Sequence, residues 1–208
     1  MEYQPLKYIY KTSGIEGAHT LLLLHGTGGN EHDLLSIADY FGNSFNVLSV
    51  RGNVSEHGMP RFFKRLGMGI FDEKDLQFRT EELIHFLKEL AIKEGFDINK
   101  IIALGYSNGA NIAGAVLVTN PDFLGGAILF RPMQPYKVLP EIKHQNGTPV
   151  FMSSGKLDPT VAITEVESYE NALNSAGFKA TWYQINTSHS LTEEDIKLAV
   201  EWFNQNFK

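Results

Sequence analysis

Three side chains of this sequence, Ser107, Asp158 and His189 in that order, are of the types that together turn an alcohol into a nucleophile. A serine hydroxyl is a poor nucleophile at neutral pH. It needs a histidine to take its proton, and the histidine needs an acid to fix its tautomer and stabilise its charged form. Ser107 lies in Gly105-Tyr106-Ser107-Asn108-Gly109, a G-x-S-x-G match that is weak alone but gains from its flanks. Residues 101–104 before it form an apolar run, and 110–118 after it are small and apolar, as in a strand feeding sharply into a helix. Such a turn forces the serine into a strained backbone region and presents its Oγ at a crevice, while the glycines leave room for the neighbouring chain.

Asp158 follows the apolar run 149–152, and His189 follows 181–185, so each occupies a loop beyond a candidate strand. The separations leave room for one strand–helix unit between successive members. As an alternative, Asp158 is a turn or capping residue before Pro159. His144 is the one other histidine beyond Ser107, but it precedes a strand and belongs at the opposite end of the sheet. Ser190 with Glu193 is expected to form a capping box that opens the last helix and pins the backbone beside His189.

Negative charge developing on a carbonyl oxygen requires preorganised N–H donors. One is expected from the amide after the nucleophile, Asn108. The other should come from the glycine-rich loop His25-Gly26-Thr27-Gly28-Gly29-Asn30, which follows the apolar run 21–24. That loop does not read as a phosphate cradle, because no Lys-Ser/Thr follows and the third glycine of G-x-G-x-x-G falls on Glu31.

The elements that must position these residues follow from short apolar runs bounded by Gly, Pro or Asn, the pattern of strands buried on both faces. Five are clear, at 21–24, 47–50, 101–104, 127–130 and 149–152; 181–185 is more alternating and suits an edge, and 8–11 suits an antiparallel edge. Helical periodicity marks 73–94, 162–176 and the segment containing Ile196, Ala199, Val200 and Phe203. Alternating strands and helices predict one α/β domain over 1–208: a mostly parallel sheet of about seven strands, helices on both faces and no large lid. The long loops 51–72 and 131–148 are expected to wall the pocket. They place Phe62, Phe63, Met68 and Arg131 there, with Met59 and Phe71 adding apolar surface; the alternative is that the aromatic residues are core beneath a loop. Arg51, Arg61, Lys64 and Arg65 either attract an anionic group or are paired internally.

Composition narrows the function classes. With 18 Lys+Arg against 24 Asp+Glu, a net charge of −6 disfavours nucleic acid as a partner. There is no cysteine, which excludes disulfides, thiolate metal sites and thiol catalysis. No apolar run is long enough for a membrane span, and the start lacks a signal-peptide pattern, so a cytoplasmic protein is expected. No cofactor or metal is called for. A metal site built from His25, His32, Asp33 and His57 fits no common ligand spacing, and a noncatalytic ligand sensor would leave the Ser–Asp–His order unexplained.

His25-Gly26-Thr27-Gly28-Gly29, Gly105-Tyr106-Ser107-Asn108-Gly109, Leu157-Asp158-Pro159 and His189 together resemble the α/β-hydrolase superfamily, in its small phospholipase/carboxylesterase branch. His25 to Asp33, Arg51-Gly52-Asn53-Val54, Arg61-Phe62-Phe63 and Phe71-Asp72 are similar to bacterial carboxylesterases linked to hydroquinone and quinone resistance. The resemblance implies hydrolysis of small acyl or aryl esters by a Ser107–His189–Asp158 triad, with thioester or lysophospholipid hydrolysis as the alternative. It also implies that the Thr27 amide completes the oxyanion hole with that of Asn108, and that the protein pairs as a homodimer. The branch more often has Gln or His where Asn108 stands, which matters little for a backbone donor.

Overall fold

The computed structural model describes residues 2–144 and 146–208. The chain opens with β1 (Lys7–Lys11) and β2 (Thr20–Leu24), passes through the one-turn helix α1 (Leu35–Ala38), and returns as β3 (Asn46–Arg51). Four short strands follow, β4 (Val54–Glu56), β5 (Met59–Arg61), β6 (Arg65–Gly67) and β7 (Ile70–Phe71). They lead into the long helix α2 (Glu73–Glu94), then β8 (Ile101–Tyr106), α3 (Asn108–Thr119) and β9 (Gly126–Phe130). The remainder is β10 (Pro149–Gly155), α4 (Ile163–Ser175), β11 (Lys179–Ile185) and α5 (Glu193–Phe207).

Seven strands form one sheet in the order β1-β3-β2-β8-β9-β10-β11; β1 pairs antiparallel with β3, and every other pairing is parallel. The expected α/β architecture is therefore present, with both predicted edge strands at its edges. The uninterrupted apolar strands are explained by burial on both faces. Leu22 and Leu24 point into the core with α2, α3 and α4, whereas Leu21 and Leu23 point into the core with Phe41, Ile196 and Phe203. All four leucines are at most 1% exposed, and each such burial contributes about 2 kcal/mol.

Helix α2 has the bounds its periodicity predicts, because both ends are capped: the Asp72 carboxylate accepts from the Asp75 N–H, and Gly95 closes the helix at φ 76°. The cap of α5 differs from expectation. The capping box is Thr192 with Asp195, not Ser190 with Glu193, so the helix starts two residues later. The reason is tertiary: the Asp195 carboxylate is drawn inward to Arg131 and from there also reaches the Thr192 N–H and hydroxyl.

Residues 51–72 are not a plain loop. They fold into two hairpins, β4–β5 and β6–β7. The first turns at His57-Gly58, whose φ values of 52° and 81° suit a two-residue hairpin connection. Between Arg131 and Thr148, no strand or helix occurs among the described residues. None of the described helices is long and apolar enough to cross a membrane.

The connections set the site's position. From β2 the chain crosses to β3 on one side, and after α2 it returns to β8 on β2's other side. A crevice opens where strand order reverses, beyond the carboxyl ends of β2 and β8. Leu24 is paired with Gly105, so the glycine-rich loop and Ser107 leave the sheet side by side.

Candidate active site

Ser107 occupies the turn between β8 and α3 with φ 52° and ψ −111°, a conformation that L residues rarely adopt. The surroundings hold it there: the Ser107 N–H donates to the Phe130 carbonyl (2.9 Å), and its own carbonyl accepts from the Asn111 N–H (2.9 Å). Gly109 is required by close approach, because a Cβ there would lie 1.9 Å from the Leu24 carbonyl oxygen. At Gly105, a Cβ would meet the Gly109 carbonyl oxygen at 2.5 Å.

Asp158 and His189 come to Ser107 from the loops after β10 and β11. The two loops are bonded together, Lys156 N–H to the Ile185 carbonyl (2.8 Å) and Leu157 N–H to the Thr187 carbonyl (3.0 Å). His189 Nδ1 lies 2.6 Å from Asp158 Oδ2, and His189 Nε2 lies 2.9 Å from Ser107 Oγ. The Asp158 side chain is fully buried, and its Oδ1 accepts from the Thr160 N–H (2.8 Å). With a proton on Nδ1 directed at the carboxylate, Nε2 is left as the acceptor facing the serine. Tyr106 supports this from below, its hydroxyl donating to the His189 carbonyl (3.0 Å). Burial pushes the Tyr106 phenol up, with Arg131 pulling the other way, so it remains a protonated donor.

A narrow cleft of about 50 Å³ lies over these groups, lined by Thr27, Ser107, Asn108, Arg131 and His189, with the exposed Met68 at its rim. Asn108 opens α3, where a first-turn N–H has no helical partner. Its side chain turns aside, Oδ1 accepting from the Phe62 N–H at 2.7 Å. The Thr27 loop is pinned by the Gly28 N–H donating to the Pro60 carbonyl (2.9 Å) and by Arg61 Nη1 donating to Thr27 Oγ1 (2.7 Å). His25 anchors its base: Nδ1 meets the Gly26 carbonyl at 2.6 Å, and Nε2 accepts from the Gly52 N–H at 3.0 Å. Burial holds His25 below its ordinary pKa, so it serves as a neutral pin, and both ring nitrogens are occupied by backbone. Among the described residues, no three His, Cys, Asp or Glu side chains gather as metal ligands.

One expectation about the walls is corrected and another is refined. Phe62 and Phe63 do not line the cleft; they are 3% and 0% exposed, Phe62 packed at a tilt against His25 and Phe63 edge-on against Phe71. The chain leaving β5 carries them inward, and Gly52 admits the Arg61–Phe62 backbone so closely that a Cβ would lie 2.2 Å from the Arg61 oxygen. Arg131 does line the cleft, but its guanidinium is engaged behind it. Nη1 and Nη2 each donate to Asp195 at 2.7 Å, Nη1 also to Ser153 Oγ, and Nη2 to the Ser190 carbonyl. This wholly buried pair ties the end of β9 to α5 and to the residue after His189, a link with no local sequence signature.

Burial raises the Asp195 pKa, but its bonds from Arg131, Ser153 and Thr192 outweigh that and leave it below the usual carboxylate value. A carboxylate so depressed contributes stability above its unfolded pKa and loses it as pH falls through its folded one. Asp195→Asn should therefore cost about 3 kcal/mol near pH 7, because Arg131 is left buried without its counter-ion. The gap from wild type should narrow below about pH 4, as read by urea denaturation across pH.

Arg51, Arg61, Lys64 and Arg65 each lie near a carboxylate. Arg51 bonds Glu31, Lys64 lies 4.0 Å from Asp75, and Arg61 and Arg65 share Glu56. Burial and the neighbouring Arg65 hold the Arg61 pKa below its ordinary value. The shared Glu56 and the bond from Arg61 to Thr27 were not legible in the sequence.

The sequence profile of the phospholipase/carboxylesterase family matches residues 11–206. The chain is 46% identical over 200 residues to MhqD of Bacillus subtilis (strain 168), covering 96% of this chain and 98% of that one. Its structure superposes on the Bacillus cereus carboxylesterase with a TM-score of 0.94 at 44% identity, covering 97% and 95% of the two chains. YahD, in a structure with malic acid, matches with a TM-score of 0.90 at 32% identity over 97% and 99%. With its seven-stranded mixed sheet and a serine at the strand–helix turn, the chain belongs to the phospholipase/carboxylesterase family of α/β-hydrolases.

Proposed function

We propose that this hydrolase is a serine carboxylesterase that cleaves small acyl or aryl esters through an acyl-enzyme on Ser107. The observation that carries the reading is the unbroken chain from Ser107 Oγ to His189 Nε2 and from His189 Nδ1 to Asp158, at 2.9 and 2.6 Å. Ser107 Oγ attacks the carbonyl carbon as its proton passes to His189 Nε2, and Asp158 stabilises the imidazolium. The amides of Thr27 and Asn108 receive the oxyanion. As the tetrahedral species collapses, the C–O bond to the leaving group breaks and His189 returns the proton to the departing alcohol. Water then repeats the sequence on the acyl group, releasing the acid and free Ser107.

The cleft of about 50 Å³ supports a small group at the reacting end. It shares Gly69, Phe71 and Met133 with an adjoining groove of about 450 Å³, which offers apolar and aromatic surface to the rest of the substrate. A role in quinone or aromatic detoxification and a homodimeric state rest on the sequence resemblance, and a cytoplasmic site of action rests on the composition and apolar patterning of the sequence. Titration with a fluorophosphonate tests the reading: one equivalent per chain should attach to Ser107 in the wild type and none to Ser107→Ala. A folded wild type that stays unlabelled would sink it.

A further inference from the structure

Three arginines, Arg61, Arg65 and Arg131, line the cleft, and no carboxylate does among the described residues, although the chain as a whole carries a net charge of −6. The acids behind the wall do not cancel them equally. Asp195 is bidentate to Arg131, and Asp158 is committed to His189. Glu56 alone serves both Arg61 and Arg65, and it does so asymmetrically. Its Oε1 accepts from Arg65 Nε at 2.9 Å, whereas Oε2 lies 3.2 Å from Arg61 Nη1, the nitrogen that also donates to Thr27 Oγ1. One positive charge is thus left over at the wall that carries the Thr27 loop.

Unused donors accompany it. Arg131 Nε and Asn108 Nδ2 are buried and have no hydrogen-bond partner among the described residues, although both residues line the cleft. Buried donors without partners cost free energy unless a ligand supplies acceptors. A planar guanidinium beside further N–H groups suits a carboxylate better than a neutral acyl chain.

We infer that the cleft selects esters bearing a second, ionised carboxylate, held by the Arg61–Arg65 pair, with the ester itself at Ser107. This rests on the esterase reading and adds the substrate's charge to it. The carboxylate takes no part in bond breaking; it orients the ester.

The test uses matched ester pairs that place the charge on either side of the scissile bond: mono-4-nitrophenyl adipate against 4-nitrophenyl hexanoate, and 4-acetoxybenzoate against its methyl ester. In at least one pair the wild type should favour the anionic member by about tenfold in kcat/KM at low salt, a preference that shrinks as salt screens it. Arg65 is only partly buried, so it is changed rather than the buried Arg61. Arg65→Gln should lower the anionic-to-neutral ratio, and Glu56→Gln, which removes the shared counter-charge, should raise it. A merely structural role for the cluster would move both variants the same way. A wild type that titrates fully with fluorophosphonate yet prefers the neutral member of both pairs overturns the inference and leaves the esterase reading standing. A wild type that is neither labelled nor active overturns both.

Discussion

Ser107→Ala should lower ester hydrolysis by about a millionfold while leaving the fold intact. The size follows from what is lost. Without Oγ there is no acyl-enzyme, and His189 Nε2 loses the group whose proton it accepts at 2.9 Å. What survives, the proposed amide donors of Thr27 and Asn108 and whatever binding the cleft supplies, should account for only about 10³ to 10⁴ over the uncatalysed reaction. Stability should change little, because the strained backbone at φ 52° is held by main-chain bonds to Phe130 and Asn111 that alanine keeps. The check is kcat on a p-nitrophenyl ester beside a thermal melt. A variant retaining more than about one part in a hundred of the rate would exclude Ser107 as the nucleophile.

Asp158→Asn should reduce kcat by about ten-thousandfold with little change in stability. The two carboxylate oxygens have different tasks. Oδ1 accepts from the Thr160 N–H at 2.8 Å, and Oδ2 faces His189 Nδ1 at 2.6 Å. Asparagine has a single acceptor oxygen. If that oxygen keeps Thr160, the amide NH2 faces Nδ1 and forces it to be the acceptor, which puts the ring proton on Nε2, pointing at Ser107. The imidazole then has no free lone pair to take the serine proton, and the charge that stabilised the imidazolium has gone as well. The rate of fluorophosphonate labelling should fall in parallel, since it reports the same activated serine. A loss of less than tenfold, with the fold preserved, would remove Asp158 from the role of orienting acid.

The parts of the fold legible in the sequence were those governed by local periodicity. The run 101–104 and the small residues after Ser107 predicted the strand–helix turn, because a parallel strand is buried on both faces and a tight turn needs glycine where backbones meet. The bounds of α2 were readable because Asp72 and Gly95 are local caps. The hairpins in 51–72 were not, since strands of two or three residues carry too little alternation to separate from a loop. The capping box at Thr192 was misplaced by two residues for a different reason. Ser190 and Glu193 satisfy the local pattern equally well, and only the buried guanidinium of Arg131, 64 residues earlier, selects Asp195.

The same division runs through the site. The order of Ser107, Asp158 and His189 was legible in the sequence, because each follows a recognisable strand, and folding brings the three within hydrogen-bond reach. Tertiary structure decided which neighbours serve them. It turned Phe62 and Phe63 inward to the core, made Arg131 half of a buried ion pair, and set Arg61 against Thr27 with one glutamate shared between two arginines. A chain's periodicity reports which residues avoid water, whereas charge balance and donor geometry depend on groups that only folding brings within a few ångströms of one another.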